Sequence, residues 1–450
     1  MTQPHLIQTT DNNCGNCQYD KCDKENLAFL SRHTIGKLQT ENQSSLFVFP
    51  PKKDWKDDIE NKYIFSLIGE NNLQTSNIMG YIGYKGTRLR IHSRFAKDDE
   101  QDFFLHYMLQ RVMHINLFDL KYSTADDEIF DFLLYLFPAF LKRAMAQGLY
   151  REYQTKQYND SHVRGRIDIS RHIRQNTPFT GRIAYSTREY SADNSVTQLI
   201  RHTIEYLRHK PLGNTLLQDD EDAKDYVRQI TDATNSTYNL HERRKIISQN
   251  MRPLNHPYYG EYRQLQKLCL QILQHKELKY RDTDNNEIYG ILFDGAWLWE
   301  EYLAIVLKDV MSHYTQKNSS FKLFKKEDGK EFQQIVPDFY DKDQHVVADA
   351  KYIPLAEKEN LSGDQALSIY YKTVMYMYRF NCPTGYLFYP YSNSSDIHSE
   401  VLTVNNGQRE RLIKAGLSIP KGITDWHIFV EGIKQSEEKF KKPIIEKHVR

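Results

Sequence analysis

The stretch IVPDFYDKDQHVVADAKY, residues 335–352, is the most informative feature of this chain. One apolar run ends at Pro337-Asp338, and a second ends at Asp349-Ala350-Lys351. The polar segment DKDQ between the two runs has the composition of a turn. The stretch therefore predicts two β-strands joined by a hairpin.

The hairpin brings acidic and basic side chains to one place. Side chains alternate between the faces of a strand, so Asp349 and Lys351 project to the same side and Ala350 and Tyr352 to the other. Asp338 reaches the same face as Asp349 if the two strands pair. Two carboxylates and one ammonium group at a strand end suit a divalent cation and a water molecule beside a phosphodiester.

Three features distinguish this segment from a chance Asp-x-Lys tripeptide. The residues before Asp349 are apolar, Pro337 suits a strand end, and residues 296–310 form a strongly apolar helical stretch with Glu300 and Glu301. Together they match the signature of PD-(D/E)xK nucleases. The alternative is a solvated hairpin with an ordinary Asp–Lys surface pair.

The predicted roles follow from the chemistry of phosphodiester hydrolysis. Mg²⁺ needs only one or two protein carboxylates, which we assign to Asp338 and Asp349, with the Ala350 carbonyl oxygen as a third ligand. Lys351 orients or helps to deprotonate the attacking water and stabilises the developing negative charge. Glu300 adds a ligand or holds a metal-bound water, because an unpaired carboxylate on a buried helix is costly. The alternative for Glu300 is a helix-surface carboxylate.

Downstream, Gln365 and the run YYKTVMYMYRF (370–380) predict a helix that packs on the sheet. Lys372 and Tyr376 lie four residues apart and share one face. Two interpretations remain open: this face meets DNA phosphates, or it belongs to the core.

Composition limits the classes of function. The chain has 450 residues, which suggests about two to three domains, and a net charge of +1 gives no global basic field for nucleic acid. Any DNA contact must come from local clusters, although each such cluster is more often a solvated face than a phosphate site. The basic clusters are Arg164-Gly165-Arg166 with Arg171 and Arg174, Arg243-Arg244-Lys245, and the tail 439–450.

No signal peptide is evident at the polar N-terminus. The longest apolar stretch, residues 130–141, is too short to span a bilayer and contains Asp131 and Pro138. We therefore expect a soluble, cytoplasmic protein with no membrane partner.

The chain has five cysteines, an odd number that argues against a disulfide framework. Cys14, Cys17 and Cys22, followed by His33, resemble a structural zinc clip. Free thiols in a mobile N-terminus, or other redox chemistry, are the alternatives. Cys269 and Cys382 are expected in the core.

The predicted fold class is α/β. Residues 1–40 form a polar lead, 41–190 a β-rich and helical domain for partner interaction, and 191–450 a helical region followed by the nuclease domain, a mixed sheet flanked by helices. The core of that domain is placed at about 289–430, with strands predicted at LFYPYS (387–392) and WHIFVEGI (426–433), and a helix is predicted at 128–153.

Several motifs resemble, in order, those of the McrC family, the nuclease subunit of modification-dependent restriction systems. The resemblance covers roughly residues 80–390. Two departures stand out: Lys372 takes the place of a glutamine four residues before Tyr376, and the Cys-containing lead is not part of the family pattern. The motifs are VRGRIDISRHI (163–173), EYSADNSVTQLI (189–200), LWEEYL (298–303), PDF (337–339) and VVADAKY (346–352).

The resemblance implies a Mg²⁺-dependent nuclease that cuts double-stranded DNA. McrC-like proteins work with McrB, an AAA+ GTPase that recognises DNA and translocates; they dock through their N-terminal half and stimulate GTP hydrolysis. It also implies that Arg164 and Arg166 contact this partner, although they equally suit a fold-supporting role at a turn. The chain has no GxxxxGK[ST] phosphate loop, which agrees with a separate motor subunit. The alternatives are a self-sufficient nuclease of the same fold and a non-catalytic adaptor that activates a motor.

Overall fold

The chain is a mixed α/β protein, as the sequence predicts. The computed structural model describes residues 5–40, 45–50, 59–96, 102–113, 125–210, 213–218, 220–281, 288–315, 319, 321–353, 355, 364–392, 399–403 and 410–446.

The β-strands of the described residues are numbered in chain order. They are β1 (His5–Thr10), β2 (Cys17–Gln18), β3 (Ser45–Phe49), β4 (Phe65–Ile68), β5 (Asn72–Thr75), β6 (Ile78–Tyr84), β7 (Thr87–His92), β8 (Glu152–Asp160), β9 (Arg166–Ile167), β10 (Ile183–Ser191), β11 (Ile288–Asp294), β12 (Ser312–His313), β13 (Lys322–Lys325), β14 (Glu331–Gln334), β15 (Phe339–Asp341), β16 (Val346–Ala350), β17 (Thr384–Tyr391), β18 (Ser399–Thr403) and β19 (Arg411–Ser418).

The α-helices are numbered in the same way. They are α1 (Lys24–Arg32), α2 (Ile35–Thr40), α3 (Phe103–Met113), α4 (Ala125–Met145), α5 (Ile169–Gln175), α6 (Ser195–Arg208), α7 (Gly213–Gln218), α8 (Glu221–Thr234), α9 (Arg243–Gln249), α10 (Gly260–Arg281), α11 (Gly295–Val306), α12 (Asp364–Phe380) and α13 (Trp426–Glu446).

The chain forms two compact units. Unit 1 contains Met1–His114 and Asp282–Arg450, and unit 2 contains Ile115–Arg281. These limits differ from the boundaries that the sequence suggests near residues 40 and 190. The polar lead contributes β1, which pairs in parallel with β7. Strand β11, which the sequence assigns to the nuclease domain, joins the N-terminal sheet instead, in the order β1-β7-β6-β11-β3.

Two glycines let β11 lie against β6. Gly80 and Gly290 both have positive φ. A Cβ atom on Gly290 would lie 2.1 Å from the Tyr81 carbonyl oxygen, and one on Gly80 would lie 2.1 Å from that of Ile291. Because only glycine tolerates this approach, the pair permits the C-terminal half of the chain to enter the N-terminal sheet.

Asp294 carries the chain from β11 into α11. Its buried carboxylate accepts hydrogen bonds from the amides of Ala296 (2.9 Å) and Trp297 (3.4 Å), which caps the helix, and it forms an ion pair with Lys62. Farther along α11, the buried Trp299 indole donates to the Phe388 carbonyl oxygen at 3.4 Å. The helix therefore connects the N-terminal sheet to the C-terminal one.

The C-terminal sheet has the strand order β12-β15-β16-β17-β19-β18. Strands β16, β17 and β19 run parallel, and the remaining pairs are antiparallel. Strand β17 confirms the prediction for LFYPYS. The prediction of a strand at residues 426–433 is wrong: this segment lies in α13. Its buried residues Phe429 and Ile433 are four apart, which is helical spacing, and they bury one face of the helix.

Unit 2 combines helices with a small sheet of order β8-β10-β9. The helix predicted at 128–153 ends at Met145, and β8 begins at Glu152. Asn194 caps α6, because its side-chain Oδ1 accepts hydrogen bonds from the amides of Val196 (3.1 Å) and Thr197 (3.0 Å). Cys269 in unit 2 and Cys382 in unit 1 are buried, as expected.

In the part of the chain that the structure describes, no helix combines the length and the apolar character needed to cross a membrane.

Candidate active site

The site is built on the β15–β16 hairpin, which the structure places where the sequence predicts it. The two strands pair antiparallel, with Phe339 opposite Ala348. In the connecting turn, Asp341 Oδ1 accepts hydrogen bonds from the amides of Asp343 (2.9 Å) and Gln344 (3.1 Å). These hydrogen bonds stabilise the turn, because an aspartate side chain can accept a hydrogen bond from the backbone amide two residues ahead.

Asp338 and Asp349 come together inside the protein. Asp338 immediately precedes β15, and its Oδ2 accepts a hydrogen bond from the Ala350 amide at 2.8 Å. The Tyr314 amide donates to the Asp338 carbonyl oxygen at 3.0 Å, which fixes the backbone there. Asp338 is 3% exposed and Asp349 is fully buried. The predicted pair of carboxylates therefore lies at the end of β16.

Two lysines contact Asp349, one at each oxygen. Lys351 Nζ forms an ion pair with Oδ2, and Lys372 Nζ lies 3.3 Å from Oδ1. The backbone of Lys351 is held by its amide, which donates to the Phe388 carbonyl oxygen at 2.7 Å. The next residue, Tyr352, packs its ring under the Arg94 guanidinium, 4.3 Å from the ring centroid.

The environment of Asp349 favours bound cations. Burial raises the pKa of Asp349, the charge of Asp338 raises it further, and Lys351 and Lys372 lower it; the net pKa lies above the ordinary value. A buried carboxylate beside another carboxylate is costly without positive charge. Two carboxylates are also a sufficient protein contribution for Mg²⁺, which keeps several of its waters. Asp338 and Asp349 therefore fit this ion, and a contact to the Ala350 carbonyl oxygen stays a prediction.

Helix α12 brings Lys372 to the site. Tyr376, one turn farther on, is buried, and its hydroxyl donates to the Val336 carbonyl oxygen at 2.9 Å. The Lys372 ammonium lies 5.5 Å from the centroid of the Tyr376 ring. Tyr376 therefore belongs to the core, and Lys372 contacts Asp349. Gln365 lies in α12, but its side chain is outside the described residues.

Glu300 lies on α11 and is directed toward a histidine. Its Oε1 accepts a hydrogen bond from His313 Nε2 at 3.0 Å, and each side chain is 18% exposed. Burial alone would lower the pKa of His313, but the hydrogen bond and charge of Glu300, with weaker contributions from Glu301 and Asp338, raise it above the ordinary value of 6.5. Metal binding by Glu300 stays a prediction.

Sequence reasoning did not include His313, and it left the role of Lys372 open. His313 lies on β12, next to β15, and is close enough to Asp338 for their charges to interact. A two-residue strand has too little pattern to reveal such a position. The position of Lys372 could have been found from the sequence, because it lies four residues from Tyr376 and therefore on the same face of the helix.

The predicted zinc clip is not assembled. All five cysteines are reduced thiols. Cys17 Sγ lies near the Gln8 carbonyl oxygen, Cys22 Sγ lies 3.7 Å from Asp23 Oδ2, and His33 Nδ1 donates to the Phe29 carbonyl oxygen at 2.7 Å. Cys14 is exposed. Among the described residues, no group of three or more His, Cys, Asp or Glu side chains is arranged to hold a metal ion. Zinc binding by the lead remains an untested prediction.

The Arg164-Gly165-Arg166 segment lies in unit 2, beside β10. Arg164 Nε donates to the Tyr185 hydroxyl at 3.3 Å, although two thirds of its side chain is exposed. Arg166 is exposed on β9. By contrast, Arg171 is largely buried and donates to the Tyr158 and Tyr185 carbonyl oxygens at 3.0 and 2.6 Å. Arg171 therefore supports the fold, whereas Arg164 and Arg166 remain accessible.

Comparison with known proteins identifies the family of this chain. The family described as McrBC 5-methylcytosine restriction system component matches residues 73–390, more than two thirds of the chain. The chain belongs to this family. The membership confirms the McrC resemblance predicted from the sequence. No curated protein sequence matches at a significant level.

Two solved structures are similar to this McrBC family member. One is described as a refined half-complex from a tetradecameric assembly of Thermococcus gammatolerans McrB AAA+ hexamers with bound McrC; the identity is 15%, the TM-score 0.49, and the match covers 98% of this chain and 100% of that one. The other is the cryo-EM structure of the Thermococcus gammatolerans McrBC complex, with 17% identity, a TM-score of 0.34, and coverage of 70% and 90%.

The effect of Glu300 on the pKa of His313 can be tested directly. Replacing Glu300 by glutamine removes the charge that raises the pKa of His313, so we expect this pKa to fall in a histidine NMR titration of metal-free protein. Because the folded pKa is raised, the stabilisation by the pair is complete below pH 6.5 and is lost as the pH rises through the raised value. Glu301→Gln is the matched control and should shift the pKa less. An unchanged His313 pKa in Glu300→Gln would contradict the assignment.

Proposed function

We propose that the chain is the cytoplasmic, Mg²⁺-dependent nuclease subunit of an McrBC-like restriction system. It hydrolyses phosphodiester bonds of double-stranded DNA when an AAA+ GTPase partner activates it, and its C-terminal sheet is the core of a PD-(D/E)xK nuclease domain. The observation that carries the proposal is the convergence of Asp338, Asp349 and Lys351 at the end of one buried strand.

Each residue of the site has a proposed role that follows from its chemistry. Asp338 and Asp349 would hold the metal through hard carboxylate oxygens, and the Ala350 amide, which donates to Asp338 Oδ2, orients Asp338 for this role. Lys351 positions the attacking water and offsets negative charge that develops on the phosphoryl oxygens. When bound, Mg²⁺ supplies Lewis acidity and lowers the pKa of water. The Glu300–His313 pair lies near this group, and His313 is close enough to Asp338 for their charges to interact.

An exposed apolar surface of unit 2 suits the contact with the partner. Its residues flank Arg164 and Arg166 along the chain, and its large side chains are 40–68% exposed. A cluster of exposed apolar residues with arginines among them is typical of protein interfaces. The surface consists of Val163, Ile167, Ile169, Ile173 and Phe179.

Cleavage of plasmid DNA tests the proposed active site. With Mg²⁺, GTP and the AAA+ protein encoded beside this chain, the wild type should cut, and Asp349→Ala and Lys351→Ala should each lower the rate by at least about 100-fold. Lys342→Ala is the matched control, because it removes an exposed lysine of the same hairpin.

The other outcomes separate the alternatives. Cleavage without the partner would indicate a self-sufficient nuclease. Stimulation of partner GTP hydrolysis without cleavage under any condition would indicate a non-catalytic adaptor. Full activity of Asp349→Ala would reject the site itself.

A charged residue introduced into the apolar surface of unit 2 tests whether this surface contacts the partner. Ile169 is 68% exposed, so Ile169→Asp should leave the fold intact but reduce stimulation of partner GTP hydrolysis by about tenfold or more. Arg166→Ala should act in the same direction. Ile428→Asp, at a 60% exposed position of α13, is the control. Equal stimulation by Ile169→Asp, Arg166→Ala and the wild type would place the contact elsewhere.

A further inference from the structure

We propose that Lys372 occupies Asp349 Oδ1 as a displaceable cation and gives way when the divalent ion binds. This inference rests on the proposed function and goes beyond it. It assigns a role to the residue that departs from the family pattern.

The first step is the arrangement of charges around Asp349. Its two oxygens are each covered by an ammonium group, Lys351 at Oδ2 and Lys372 at Oδ1. With Asp338 included, two negative and two positive side chains meet in this group. The formal charges of the four residues therefore sum to zero before any ion is present, although burial and the charge of Asp338 still raise the pKa of Asp349 above its ordinary value.

The second step is the difference between the two lysines. The Lys351 side chain is 20% exposed and its backbone is bonded to β17, whereas the Lys372 side chain is 36% exposed and reaches the site from α12. The contact of Lys372 with Oδ1 is 3.3 Å, at the long end for a charged hydrogen bond. Lys372 is therefore the ammonium that can leave with less loss of contacts.

The divalent ion and the ammonium group of Lys372 compete for the same oxygen of Asp349. A divalent ion on Asp349 and an ammonium group at hydrogen-bond distance from the same oxygen repel each other strongly in a poorly solvated site. Entry of the ion would therefore move Lys372 off Oδ1, and its long, partly exposed side chain would carry the charge toward solvent. There it faces the phosphodiester, the anion that the reaction brings. A neutral glutamine at this position neither competes with the ion nor supplies that charge.

The inference predicts two opposite effects of one substitution. Lys372→Met keeps most of the length of the unbranched side chain and removes its charge, so the variant should bind the ion more tightly and turn over more slowly. A residue with a merely structural role would weaken both properties or change neither.

The experiment measures Mn²⁺ binding to the full chain without DNA, by the EPR signal of the free ion. We expect Lys372→Met and Lys372→Gln to lower the Mn²⁺ dissociation constant by about three- to tenfold. Lys372→Arg keeps the charge and should stay within about twofold of the wild type. Lys342→Met removes a surface lysine of the hairpin and is the charge-matched control. Melting temperatures show which variants are folded, and the glutamine variant replaces the methionine variant if the latter is unstable.

DNA cleavage at saturating Mg²⁺, with partner and GTP, supplies the second readout. We expect kcat of Lys372→Met to fall about tenfold or more, because the phosphodiester loses a cation. Mn²⁺ affinity equal to or weaker than that of the wild type in both neutral variants would overturn the inference, as would unchanged kcat. Failure of the proposed function looks different: the wild type, and not only the variants, would bind Mn²⁺ no better than Asp349→Ala.

Discussion

The carboxylate of Asp349 is completely removed from solvent, and Asp338 lies beside it. Burying such a charge costs several kcal/mol unless positive groups surround it. The site meets this constraint with Lys351 at one oxygen and Lys372 at the other. An arrangement that needs cations in order to be stable is also one that attracts a divalent cation, so the stability of the buried pair and the proposed chemistry have the same origin.

The rest of unit 1 keeps these four side chains in register. The hairpin turn at Asp341 sets the pairing of β15 with β16, and therefore the approach of Asp338 to Ala350. The hydroxyl of Tyr376 ties α12 to the backbone at Val336, which places Lys372 above Asp349. Helix α11, capped by Asp294, spans from the N-terminal sheet to β17 through Trp299. A shift of any of these elements would move a charge of the site.

Local patterns predicted the local parts of this arrangement. The hairpin, the strand before Asp349 and the meeting of Asp338, Asp349 and Lys351 follow from alternation and turn composition in eighteen consecutive residues. The contacts of Lys372 and His313 depend on how α12 and β12 pack on the sheet. Local sequence patterns do not indicate how distant elements pack together. The same reason explains β11: its apolar run reads as a buried strand, but which sheet receives it depends on Gly80 and Gly290, far apart in the chain. Residues 426–433 were mistaken for a strand because a short apolar run does not distinguish the two periods.

The proposed nuclease activity requires Asp338 and Asp349 to hold a divalent cation together. The most direct test is anomalous diffraction from crystals of the full chain soaked in Mn²⁺. We expect an anomalous peak within coordination distance of both carboxylates in the wild type, with Lys372 Nζ moved away from Asp349 Oδ1, and no peak in Asp349→Ala. A wild-type site without manganese, or a peak that persists in Asp349→Ala, would contradict it.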